Sequence, residues 1–143
     1  IELAGEVNTS MTQYVVQRTM MALNDHRKAL NGSRLLLVGL AYKKNVDDYR
    51  ESPAFAVWQT FVDHGAQVDY FDPYCDVVKP TREYSRFAGI RGQAFEDIAG
   101  NGYDAAIITT AHDNVDHDAL AQQLPLVIDT RNACRKADNV YQS

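Results

Sequence analysis

Leu35, Leu36, Leu37 and Val38 form an uninterrupted apolar run, and no other segment constrains the fold as strongly. A strand with one wet face alternates apolar with polar residues. Four apolar side chains in succession instead need cover on both faces, as inside a parallel sheet. A helix is predicted further on, because Ser52 suits an N-cap and Pro53 suits the first helical position, where its missing N–H costs nothing. Ala54, Phe55, Val57, Trp58, Phe61 and Val62 then recur at helical spacing. Strand and helix together predict a βα unit whose connecting loop holds Lys43, Lys44, Asp47, Asp48, Arg50 and Glu51.

The alternation continues down the chain. Val68, Tyr70 and Phe71 predict a second strand after a turn at Gly65, ending at Asp72 and Pro73; residues 105–109 predict a third; Leu126, Val127 and Ile128 predict a fourth, ending at Asp129. Helical stretches are expected around 93–99 and 116–123, while 75–92 has no period. Strands alternating with helices predict an α/β fold, a Rossmann-like parallel sheet with helices on both faces.

One long helix is expected ahead of this unit, over about 9–29, with Gly32 as its stop. Met11, Tyr14, Val15, Met21 and Ala22 fall on one side of it, and Val16, Met20 and Leu23 fall nearly opposite. A helix resting on one small domain needs a single apolar face, so the second face points to a neighbouring domain or another subunit. The alternative is a groove of its own domain. The expected division is 1–31 for the end of a preceding helical domain and 32–143 for the α/β domain. The first residue is Ile1, and the opening has no start-like sequence, as expected of a piece of a longer protein.

A net charge of −5 argues against a phosphate-backbone partner, which needs a basic face, and there is no basic run to seek an anionic membrane surface. No stretch is long and apolar enough to span a bilayer, and no signal-peptide pattern opens the chain, so the cytoplasm is expected. Cys75 and Cys134 stand far apart and read as reduced structural thiols rather than a zinc site or disulfide.

Loops leaving the carboxyl ends of parallel strands converge on the edge where such folds bind ligands. Here those loops carry Lys43 with Arg50, then Asp72, then Arg131. Cations there suit a phosphate or carboxylate. The same charges could equally pair with Asp47, Asp48 and Glu51 as a solvated network, and spacing does not choose between the two. The glycine-rich dinucleotide fingerprint is missing from the first loop, where Gly39 stands alone. Asp72 occupies a position from which a carboxylate could grip a ribose, or it is an Asp-Pro turn residue. His112 and His117, flanking Asp113 and Asp116, lack metal-ligand spacing, so surface or capping roles are expected and no metal site. No nucleophilic triad stands out, and no catalytic residue is assigned.

The string GLAYKKNVDDYRESP, with ELAGEVNTSMTQYVV upstream and VIDTRNAC downstream, resembles the carboxyl-terminal part of the UDP-glucose/GDP-mannose dehydrogenase family. Within it the bacterial UDP-N-acetylglucosamine 6-dehydrogenase type is the most similar. The resemblance covers essentially the whole chain. It implies a parent that oxidises the C6 hydroxyl of a nucleotide sugar to a carboxylate in two NAD-dependent steps. In such a parent an amino-terminal domain holds NAD, a central domain carries the catalytic cysteine and a dimer-forming helix, and this domain closes over the UDP-sugar. By the same resemblance Tyr42, Lys43 and Arg131 contact the nucleotide sugar, and Arg50 reaches toward NAD. The glycine-flanked cysteine and its assisting lysine and aspartate have no counterpart here, so the chain by itself is expected to bind but not to turn over. A standalone α/β binding or regulatory module is the contrasting expectation, and a domain that binds a dinucleotide itself is a third.

Overall fold

In the computed structural model, which describes residues 2–41, 52–80 and 84–142, the apolar run becomes β1 (Arg34–Val38) at the interior of a five-stranded sheet. The other strands are β2 (Gln67–Phe71), β3 (Ala105–Ile108), β4 (Val127–Asp129) and β5 (Val140–Gln142). Their order is β2-β1-β3-β4-β5 and every pairing is parallel. Leu37 lies opposite Tyr70 on one side and Ile107 on the other. Consecutive β1 residues therefore feed two different cores, which is why none of the four could be polar.

Leu35, Leu37, Ala105, Ile107 and Ile128 point to one face, against α1 (Glu2–Asp25) and α2 (Pro53–Asp63). Leu36, Val38, Ala106, Ile108 and Val127 point to the other, against α3 (His117–Gln122) with Ile98 and Tyr103. The Rossmann-like architecture with helices on both faces is as expected from the pattern. Ser52 caps α2 by accepting from the Ala54 amide at 3.3 Å, with Pro53 as the first helical residue. Asp116 caps α3 by accepting from the Ala119 amide at 3.0 Å. Among the described residues no helix is long and apolar enough to cross a membrane.

The structure departs from the sequence pattern in four places. The first helix ends at Asp25 rather than near Ala29. Arg27 takes the left-handed position (φ 59°), with its amide donating to Asn24 O and that of Lys28 to Leu23 O, both at 2.9 Å. That is a Schellman closure without the expected glycine. Around 93–99 only a 3-10 turn forms, Phe95–Asp97, because Ala94 is extended and the flanking Gly92 and Gly100 leave too few residues for a stable helix. Residues 75–92 hold a second 3-10 turn, Ser85–Phe87, whose Phe87 ring stacks on Trp58 at 4.2 Å. The β2–β3 connection thus covers α2 through an aromatic cluster, with Tyr84 also stacked on Phe55 at 5.4 Å, rather than through a periodic face. The fifth strand, β5, is not among the strands expected from the pattern, since three half-buried residues carry no periodicity.

The first helix also divides its apolar residues differently. Val15, Val16, Thr19, Ala22 and Leu23 form the buried stripe, drawing from both of the sides expected from the sequence. Met11, Tyr14, Met20 and Met21 flank it and are 43–62% exposed. Its end is tied to the edge strand by Tyr141 Oη donating to Asp25 Oδ2 at 2.9 Å and by Arg18 donating to Gln142 O at 2.6 Å.

Candidate functional site at the carboxyl edge of the sheet

The order β2-β1-β3 makes the gap beyond the carboxyl ends of β1 and β3 the topological switch point of the sheet, where loops part to opposite sides and leave a crevice. The Thr109 and Thr110 amides both donate to Val38 O, at 2.9 and 3.2 Å. The Thr109 hydroxyl donates to Gly39 O at 2.5 Å and the Thr110 hydroxyl to Ala41 O at 2.7 Å. Gly39 also donates its amide to Phe71 O at 2.9 Å. Strand β1 is therefore fastened past its last ladder bond on both sides.

Asp72 completes this frame from the end of β2. It is nearly fully buried, and its Oδ2 accepts from the Leu40 amide at 2.7 Å, the Ala41 amide at 3.3 Å and His112 Nε2 at 3.0 Å. Its Oδ1 accepts from the Tyr74 amide at 2.8 Å, closing the Asp-Pro turn. Of the two readings of Asp72, the turn residue is the one formed, and the carboxylate also bridges two strands. The Tyr74 ring lies 4.8 Å from that of His112.

A second buried carboxylate, Asp129, organises the next loop. Its Oδ1 accepts from the Arg131 and Ala133 amides, both at 3.1 Å, and its Oδ2 from the Cys134 amide at 2.8 Å and from Gln142 Nε2 at 3.5 Å. This fixes the backbone on which Arg131 stands. The Arg131 side chain is exposed, and its Nε–H donates to Thr109 O at 3.0 Å, so the guanidinium is aimed from β3. The Thr130 hydroxyl donates to Ile108 O at 2.5 Å.

A cavity of about 150 Å3 opens here between α1, the first turn of α2 and the edge loops. Met11 and Val15 supply one wall, Ser52 and Pro53 another, and Thr109, Thr110 and Arg131 the floor and rim. It combines an apolar side with hydroxyls, a helix N-terminus and one cation, a lining suited to a polar ligand with an anionic part. Among the residues expected at the site, Arg131 lines this cavity; Tyr42, Lys43 and Arg50 lie outside the described residues, as do Lys44, Asp47, Asp48 and Glu51. Thr109, Thr110 and Asp129 were missed as site residues. Their signal was positional, since each directly follows or ends an apolar run at the strand's carboxyl end.

The histidines are not surface residues as expected, although Asp116 does cap α3. His112 is 1% exposed and bonded to Asp72. His117 is buried in the opposite core, and its Nε2 has no hydrogen-bond partner among the described residues. Burial holds the His117 ring below the ordinary imidazole range, partly opposed by the Asp129 carboxylate and reinforced by His112, while Asp116 and Asp118 pull it upward. The neutral form is thus the folded form. An unfolded imidazole binds its proton near pH 6.5, so the unfolded chain takes up protons first as pH falls. Stability is expected to be steady above pH 6.5 and to fall below it, with a slope of up to about 1.4 kcal/mol per pH unit from this residue. Urea unfolding across pH 7 to 5 reads that slope, and His117→Gln should flatten it; an equal slope in the variant would assign the acid sensitivity elsewhere. Cys75 and Cys134 are both buried and do not form a disulfide. Burial and then the Asp129 carboxylate push the Cys134 thiol up to about 12, which makes it inert as a nucleophile.

Residues 36–136 match the UDP-binding domain of the UDP-glucose/GDP-mannose dehydrogenase family. The chain is 32% identical over 136 residues to a UDP-glucose 6-dehydrogenase of Rhizobium meliloti, covering 82% of this chain and 30% of that protein. It is 32% identical over 113 residues to a UDP-N-acetyl-D-glucosamine 6-dehydrogenase of Pseudomonas aeruginosa, covering 78% of this chain and 25% of that protein. Among solved structures, an NDP-N-acetyl-D-galactosaminuronic acid dehydrogenase from Methanosarcina mazei superposes with a TM-score of 0.76 at 25% identity, over 99% of this chain and 30% of the other. The chain therefore spans 25–30% of the length of these relatives.

Proposed function

The chain belongs to the UDP-glucose/GDP-mannose dehydrogenase family, and from that premise we propose that it is the nucleotide-sugar-binding domain of an NAD-dependent dehydrogenase that oxidises a sugar C6 hydroxyl to a carboxylate. The observation that carries this reading is the match over residues 36–136, a stretch that includes every element of the switch-point crevice except α1 and β5. The Arg131 guanidinium, aimed into the rim of the cavity by Thr109, supports a role in holding the UDP part, because a planar fork suits a pyrophosphate or ribose edge. By the family resemblance Tyr42 and Lys43 also act on the nucleotide sugar, and Arg50 acts on NAD.

NAD supplies the hydride acceptor of such a reaction. The described start of the first loop does not fit its pyrophosphate. A pyrophosphate cradle needs an open glycine backbone, whereas the bare face of Gly39 is pressed against Thr110. This supports a division in which a separate amino-terminal domain holds the cofactor, residues 1–31 end a central helical domain, and residues 32–143 bind the sugar nucleotide. The exposed Met11, Tyr14, Met20 and Met21 of α1 support packing of that helix against the central domain and a second subunit.

The test is made on the full protein. Lys43→Ala is expected to weaken UDP-sugar binding by about 1.5 to 3 kcal/mol, the worth of a charged hydrogen bond, or roughly 10- to 150-fold in Kd. Arg131→Ala should act in the same direction, and Arg50→Ala should act mainly on the KM for NAD. Unchanged UDP-sugar affinity by calorimetry in the Lys43 and Arg131 variants would defeat the assignment. A reading frame that encodes a GxGxxG strand-turn-helix and a glycine-flanked cysteine ahead of Ile1 is the corresponding expectation at the gene.

A further inference from the structure

We infer that Asp72 and His112 are a positioning pair for the nucleotide-sugar site: the pair sets the Gly39–Ala41 backbone and, through Thr109 and Thr110 just after β3, the aim of Arg131. This rests on the reading of the carboxyl edge as the UDP-sugar site.

Among the described residues neither Asp72 nor His112 lines the cavity. Both are nonetheless almost wholly buried at the ligand edge, which is a costly position for a carboxylate. The cost is offset by four donors, three of which converge on Oδ2. Two of those three are the amides of Leu40 and Ala41, the last described residues before Tyr42 and Lys43 in sequence. His112 is the third. Its Nε2–H donates to Asp72, its ring packs against Tyr74, and the carboxylate is thereby held from the β3 side while its own turn holds it from the β2 side.

The other half of the connection runs through β3. Ala41 O accepts from the Thr110 hydroxyl and Gly39 O from the Thr109 hydroxyl, and the Thr109 carbonyl accepts from Arg131 Nε. A shift of Asp72 therefore moves the Leu40 and Ala41 amides, and with them the two carbonyls against which Thr109 and Thr110 are set. A turn of Asp-Pro type needs only the Tyr74 amide on Oδ1. The three donors on Oδ2 exceed what that turn requires, and all three come from the segments that follow β1 and β3.

His112 is the member to change, because leucine and glutamine keep much of its volume while differing in one hydrogen bond. A glutamine amide reaches about as far as the imidazole Nε2 and can donate to Asp72; leucine cannot, and asparagine falls a methylene short. In the full protein His112→Leu is expected to raise the KM for the UDP-sugar about tenfold with kcat held within about threefold, the pattern of lost binding rather than lost chemistry. His112→Gln should restore KM to within about twofold of wild type. Amide hydrogen exchange at Leu40 and Ala41 should quicken about tenfold in the leucine variant and recover in the glutamine variant. Should the leucine variant fail to fold, His112→Asn against His112→Gln makes the same comparison. Unchanged KM in a folded leucine or asparagine variant, or a glutamine variant no better than either, would overturn the positioning role, as would unchanged exchange at the two amides. Absence of UDP binding by the wild-type protein would instead overturn the functional reading, with amide exchange still reporting on the pair.

Discussion

Replacing Asp129 by alanine is expected to remove about 3 to 5 kcal/mol of stability, because one buried and three part-buried donors lose a shared buried charged acceptor at once. The carboxylate is wholly inaccessible and takes the amides of Arg131, Ala133 and Cys134 together with the Gln142 side chain. Alanine leaves those N–H groups facing an apolar methyl and offers no route for water at Cys134, which is itself buried. Asparagine is the graded comparison. It retains one oxygen, but its NH2 group must face donors, so roughly half of the loss is expected. Urea unfolding of the three proteins measures both values. A midpoint for Asp129→Ala equal to wild type would show that the loop closes without the carboxylate. Since β5 reaches Asp129 through Gln142, the alanine variant should also loosen residues 140–142 in hydrogen exchange before the sheet interior opens.

Asp129 also shows which parts of this molecule could be read in advance. Strands β1, β3 and β4 were legible because burial on both faces forces consecutive apolar residues, as in Leu35 to Val38 or Ala105 to Ile108, whereas the edge strand β2 was legible from Val68, Tyr70 and Phe71 between the Gly65 turn and Pro73. The start of α2 was legible because Ser52 and Pro53 satisfy local rules that need no tertiary partner. The end of α1 was not, because Arg27 adopts the left-handed conformation that sequence statistics reserve for glycine. Strand β5 was invisible because its stability comes from Asn139 donating to Ala121 O and Leu124 O and from Gln142 donating to Cys134 O, contacts across 8 to 18 positions of sequence.

The candidate site divides along the same line. Arg131 was legible by charge at a strand end and by family resemblance, and it lines the cavity. The frame that aims it was not. Asp72 looked like a local turn residue, and half of it is: Oδ1 closes the turn while Oδ2 serves residues 31, 32 and 40 positions away. A surface or capping role was expected of His112 because its spacing to His117 does not suit a metal, yet its partner Asp72 lies 40 positions away, just past the end of β2. Local rules identify the residue that closes a turn; they carry no record of which strand lies alongside.

Gly39→Ala is expected to be the second severe substitution, with a loss of about 2 to 5 kcal/mol from two separable sources. The first is conformational. At φ 91° an L side chain is strained, costing about 1 to 2 kcal/mol. The second is steric, since a Cβ here would overlap the Thr110 carbonyl oxygen and stand 2.5 Å from Thr110 Cβ, and overpacking of this kind costs about 1 to 3 kcal/mol. Relief by movement is blocked from both sides: the Gly39 amide is bonded to Phe71 O in the direction of β2, and its carbonyl to the Thr109 hydroxyl in the direction of β3. The strands must therefore part at the carboxyl edge. Gly32 isolates the two contributions. It has nearly the same φ, 86°, but a Cβ there meets nothing within 4 Å. Gly32→Ala should show the conformational loss alone, and the excess at Gly39 measures the contact with Thr110. Equal losses at the two glycines would mean that β1 and β3 can separate freely at their ends. A larger loss at Gly39, accompanied by weaker UDP-sugar binding that Gly32→Ala does not share, is the result required if the closeness of β1 to Thr109 and Thr110 is what holds Arg131 in place.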